Sequence, residues 1–129
     1  MQRRIIIGTL LFVGALAVST LGAVPSRQSA VVRFDRPTIV AGTFVMGTVL
    51  IEHDDAKMGA GQSCTTIYWY DEATKERGKA IVDFMCVPHV RPLATRTGVS
   101  CERAVTWPDK LTEFQFLGER EGHGVPDWR

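Results

Sequence analysis

The side chains best equipped for chemistry in this 129-residue sequence are three cysteines, Cys64, Cys86 and Cys101, and three histidines, His53, His89 and His123. Cys86-Val87-Pro88-His89 puts a thiol and an imidazole on one short stretch, and Glu52-His53-Asp54-Asp55 is the densest run of metal-ligating types. Thiolate, imidazole and carboxylate suit zinc, copper or calcium in different combinations. The histidines lie on separate segments without paired spacing, so spacing alone builds no metal site. The acidic run then reads as a solvated strand end opening into a turn. Ser63 and Ser100 lack the Gly-x-Ser-x-Gly setting of a nucleophile elbow, and a Cys-His enzyme would need a free, activated thiolate. The expectation is a non-enzymatic protein with no catalytic residues and no cofactor, with His53, Cys86 and His89 as the alternative metal ligands.

Strands must position these groups. Thr43 to His53 is rich in β-branched and aromatic types, apolar at both alternating sets, and predicts a strand covered on both faces, with Gly47 marking a bulge or a close backbone approach. Val31–Phe34 and Thr38–Ala41 predict short strands split at Asp35-Arg36-Pro37, and Asp54 to Ser63 predicts an exposed polar loop. Cys64–Asp71 and Lys79–Val87 predict a hairpin. Thr95–Val105 and Lys110–Leu117 predict further strands, and the closing Glu119 to Arg129 an irregular tail. In Tyr68-Trp69-Tyr70 the two tyrosines and Trp69 point to opposite faces, both expected to be packed. The fold class expected is all-β: a small single-domain β-sandwich or barrel of about six to seven short antiparallel strands after an N-terminal hydrophobic helix.

The hairpin bears on the cysteines. If Tyr70 faces Ala80, then Tyr68 faces Val82, Thr66 faces Phe84 and Cys64 faces Cys86. Directly opposed residues have Cα atoms about 4.5–5.5 Å apart, within disulfide reach. In an oxidising compartment the two thiols would join, closing a loop worth roughly 3 kcal/mol in the chain-entropy picture. A Cys64–Cys86 disulfide is the expected pairing, Cys86–Cys101 its competitor, and Cys101 the thiol left over.

The compartment follows from the leader. Arg3-Arg4 precedes an uncharged apolar run from Ile5 to Val24, the layout of a secretory signal peptide. The division expected is residues 1–23 as signal peptide, or as an uncleaved membrane anchor, and 24–129 as an exported β-domain, periplasmic or secreted, or else anchored in the inner membrane with the domain outside. Without Arg3 and Arg4, 13 basic residues face 14 acidic ones, which disfavours nucleic acid as a partner. Protein partners are expected, with membrane contact only through the N-terminal segment. The sequence contains no Asn, so it offers no N-glycosylation sequon.

Two resemblances stand beside these readings. Cys86-Val87-Pro88-His89 resembles the ligand loop of cupredoxins, where a Cys and a His come from one loop, a second His from an earlier strand, and a Met often follows. It implies copper held by Cys86, His89 and His53; no Met follows His89, Leu93 stands at the axial place, and Cys64 competes for Cys86. The segments AGTFVMGTVLIEHDDAKM, CTTIYWYD to DFMCVP, and EFQFLGEREGHGVP resemble parts of small exported bacterial proteins of similar size. That resemblance implies an exported β-rich domain.

Overall fold

The structure, a computed structural model, describes residues 27–128. The expected leader and its hydrophobic helix lie outside the described residues. Eight strands form one sheet: β1 Arg27–Val40, β2 Thr43–Asp54, β3 Thr65–Asp71, β4 Glu76–Phe84, β5 Val87–Val90, β6 Gly98–Glu102, β7 Asp109–Gln115 and β8 Glu121–Gly124. The order is β4-β3-β2-β1-β7-β8-β5, with β6 paired to β7 on its other side. The described residues are all-β as expected, but with eight strands, not six to seven, of which β1 and β2 are long and β1 pairs β7 in parallel, and the sheet is not a closed barrel. Among the described residues no helix is long and apolar enough to cross a membrane.

β1 and β2 form the longest hairpin. Ala41 and Gly42, at φ 46° and 78°, make a two-residue turn whose twist matches the flanking strands. The Pro37 break predicted between two strands is a bulge within a single one: pairing passes from Phe34–Gly47 to Thr38–Val45, so Asp35, Arg36 and Pro37 stand against Met46 alone. Gly47 sits at φ 103°, with the Trp69 ring against the place a Cβ would take. The bulge therefore lies next to Gly47, on the facing strand, and it is the positive φ, not a close backbone approach, that calls for glycine there. Arg36 Nε pairs with nearly buried Asp109 Oδ2 at 2.9 Å, beside the parallel contact of β1 with β7 at Thr38–Asp109.

Alternation along β2 buries Val45, Val49, Ile51 and His53. The opposite set is not packed, contrary to the prediction of two covered faces: Phe44 is 56% and Met46 53% exposed. Trp69 is exposed as well, at 42%. In the β3–β4 hairpin the register differs by one from that predicted, with Thr65 facing Phe84 and Ile67 facing Val82. Nearer the turn the offset is larger, with Tyr68 opposite Ala80 and Tyr70 opposite Arg77, and two irregularities at Tyr68 reduce it to one towards the base of the hairpin. A one-residue slip exchanges faces, so Thr65 and Ile67, not Thr66 and Tyr68, join Val82 and Phe84 in the core. The core continues through Leu111, Phe114 and Phe116 of the β7 segment. Phe84 meets Phe114 edge-on with ring centroids 6.5 Å apart.

Candidate metal centre

The supposed polar loop after β2 opens with a short helix, α1, Asp55–Gly59. Asp54 caps it, its Oδ1 accepting from the backbone N–H groups of Ala56 and Lys57 at 3.0 and 3.4 Å. Such a cap satisfies donors that a helix start leaves unpaired. This turn packs Met58 against the core. The supposed irregular tail contains β8, hydrogen-bonded between β5 and β7, and β8 buries His123.

The glycines on either side of His123 explain how this strand fits. A Cβ on Gly124 would stand 2.9 Å from His89 Nε2 and 3.0 Å from the Val87 carbonyl oxygen. A Cβ on Gly122 would stand 2.8 Å from the Glu113 carboxyl carbon. The Glu113 carboxylate can swing aside but the Val87 carbonyl is backbone, so Gly124 above all lets β8 lie close against β5 while His123 turns inward.

Four side chains converge under this frame. His53 Nδ1 lies 3.7 Å and His123 Nδ1 3.6 Å from Cys86 Sγ, and the three donor atoms lie within 4.8 Å of one another with all three residues buried. Met58 Sδ is 4.0 Å from the same thiol. Zinc bonds of about 2.3 Å to sulfur and about 2.0–2.1 Å to nitrogen, at a tetrahedral angle, place such donors about 3.6 Å apart. The two Cys86–histidine spacings therefore match those around a common ion.

The far sides of the two rings are held alike. His53 Nε2 donates to Asp55 Oδ1 at 3.0 Å, and His123 Nε2 donates to Glu119 Oε2 at 3.1 Å. A carboxylate only accepts, so each ring carries a proton on Nε2 and turns Nδ1 towards Cys86, with His53 Nδ1 also 3.3 Å from the Thr65 hydroxyl. This carboxylate–imidazole arrangement is the one that orients histidines on metals. Glu121 Oε1 is buried without a hydrogen-bond partner among the described residues. It lies 3.8 Å from His123 Nδ1, too far for a hydrogen bond. A lone pair facing an unpartnered carboxylate oxygen is an arrangement that a cation larger than a proton would relieve.

Burial keeps His53 and Cys86 uncharged without such a cation. Burial holds His53 below the usual histidine range, and the neighbouring His123 adds to this, against the hydrogen bond from Asp55. Burial, reinforced by Cys64, pushes the Cys86 thiol up to about 12. Near neutral pH Cys86 is a thiol, and an ion must displace its proton to bind.

No protein-family model, curated protein or solved structure matches this chain.

Of the three ligands suggested by sequence, His53 and Cys86 meet. His89 does not: it is exposed on the edge strand β5, its ring against Gly124, and the second imidazole is His123. Cys64 Sγ lies 3.1 Å from Cys86 Sγ, both thiols being free, and the Cys86 backbone N–H donates to Cys64 Sγ at 3.3 Å. The expected disulfide is therefore not formed: the two sulfurs are near neighbours but stand about 1 Å beyond the length of that bond, on residues just outside the paired register. Cys101 stands on β6 opposite Leu111. Sequence reasoning named His123 among the possible metal ligands but left it out of the copper set, and it missed Met58, Glu119 and Glu121. The usable signal for His123 was the pair of glycines around it.

Proposed function

We propose that this chain is a copper-binding protein whose ion is held by His53 Nδ1, Cys86 Sγ and His123 Nδ1, with the Met58 thioether as a weaker fourth donor. The observation that carries this reading is the pair of buried imidazoles, each fixed through Nε2 by a carboxylate and each directing Nδ1 at one buried thiol. Two imidazoles, one thiolate and a distant thioether form a donor set suited to copper. The set matches the cupredoxin-like expectation in kind, while its second imidazole and its thioether come from segments the local motif did not include. Contact of His53 on β2 with His123 on β8, ring centroids 4.3 Å apart, supports a sandwich-like packing of the two arms of the sheet around the centre.

The reading is compatible with a non-enzymatic exported accessory domain, since holding an ion requires no turnover. A protein-partner role has its own support: β5 is a sheet edge on which Val87 is 50% and Val90 91% exposed. The deciding experiment titrates reduced, metal-free protein with Cu(I) and separately with Zn(II), without oxygen, against a chromophoric chelator. The expected result is one tightly held copper, a preference over zinc, and loss of binding in Cys86→Ser and His123→Ala. Absence of binding, or equal affinity for zinc, would overturn the proposal.

A further inference from the structure

Cys64 is the group around the centre that the three-ligand set leaves over. Two thiolates on one tetrahedral ion stand about 3.8 Å apart, by the same zinc–sulfur bond lengths, and a disulfide brings them to about 2.05 Å. The observed 3.1 Å lies between these distances. Both residues are buried, at 2% and 4% exposure. They flank the base of the β3–β4 hairpin, where Thr65 faces Phe84.

We infer that Cys64 and Cys86 form a redox couple that gates the centre, the dithiol admitting copper and the Cys64–Cys86 disulfide excluding it. The inference rests on the copper reading and adds its regulation. Oxidation is thiol–disulfide exchange with a low-molecular-weight disulfide such as oxidised glutathione. One chain thiolate attacks it and releases one glutathione; the second chain thiolate then attacks the mixed disulfide and releases the other. The chain loses two protons and two electrons, and one oxidised glutathione becomes two reduced ones. The thiolate is the metal ligand, so the disulfide removes the only sulfur anion from the set and leaves two imidazoles and a thioether. In an oxidising compartment thiols in this position join. Loading must then follow a reductive step, exchange with a dithiol donor that returns Cys64 and Cys86 to thiols. By linkage, bound copper must in turn make the pair harder to oxidise.

The test uses the full chain, reduced with a phosphine or oxidised with oxidised glutathione, with peptide mapping to locate the bond. Each form is titrated with Cu(I) against a chelator, without oxygen. The expected result is a Cys64–Cys86 disulfide in the oxidised form and copper affinity lowered by more than about 100-fold, beyond what loss of a group that merely orients a ligand costs. Cys64→Ser is expected to bind copper when reduced and to keep that affinity after the same oxidant treatment. Reduced protein that binds no copper would remove the copper reading and the gate together. Normal binding by reduced protein with unchanged affinity after oxidation, or failure of the disulfide to form, would remove the gate alone. So would loss of copper from reduced Cys64→Ser, because Cys64 would then be a required ligand.

Discussion

Replacing Glu119 by Ala tests whether the carboxylate–imidazole pairs exist to orient ligands. Glu119 Oε2 accepts from His123 Nε2 at 3.1 Å, and Asp55 Oδ1 does the same for His53 at 3.0 Å. Without its carboxylate, His123 can place its proton on Nδ1, the atom that must face the ion, so part of the population becomes incompetent and the rest loses a charge-assisted bond. Groups of this kind are worth about 10–100-fold in metal affinity, or roughly 1.4–2.8 kcal/mol at 1.4 kcal/mol per decade. Glu119→Gln keeps an acceptor and should lose less. Because Asp55 and Glu119 serve different rings, Asp55→Ala with Glu119→Ala should lose roughly the product, about 10²–10⁴-fold, if the sites act independently. The assay is chelator competition on reduced protein, with circular dichroism to show that the fold persists. Glu119 is a partly exposed side chain, so its removal leaves no core cavity. Affinity within twofold of wild type for both single variants, with the fold intact, would refute the assignment of these carboxylates.

His89→Ala should leave copper affinity unchanged, since its ring lies outside the cluster; a tenfold loss in the same competition would restore His89 as a ligand. Gly124→Ala forces a methyl against the His89 ring and the Val87 carbonyl, and overpacking of this kind costs about 1–3 kcal/mol. Thermal unfolding should show a drop of several degrees, and an unchanged melting temperature would contradict the tight fit of β8. Glu113 is held below its ordinary pKa of 4.5 chiefly by the hydrogen bond from Arg91. Its depressed folded pKa means the stabilisation is present above pH 4.5 and is lost as pH falls through the folded value. Wild type should exceed Glu113→Gln by about 0.5–1 kcal/mol at neutral pH, and denaturant melts should show the gap closing below pH 4.5. A gap that persists in acid would place the effect elsewhere.

The parts of the centre legible in sequence were those fixed by short-range rules. Alternation through Val45, Val49 and Ile51 carries His53 inward, and the hairpin between β3 and β4 brings Cys64 to Cys86 even with its register displaced by one. That proximity survives the slip because both cysteines lie just beyond the ladder, where side chains are not bound to strand alternation. What sequence could not show was long-range. His123 is 37 residues from Cys86, on a strand that exists because β5 and β7 close on its two glycines. The local pattern offered His89, three residues from Cys86, but a thiol facing the core and an imidazole on an exposed sheet edge do not meet, however close in the chain. Met58 was hidden differently: a run of Asp, Gly and Lys reads as solvated loop until Asp54 caps a helical turn and packs one thioether inward. The donors thus come from α1 and three separated strand ends, so the centre can form only once β8 has docked. A copper ion bound there would link the two arms of the sheet through His53 and His123, and binding would therefore stabilise the whole fold in proportion to its affinity for the native state.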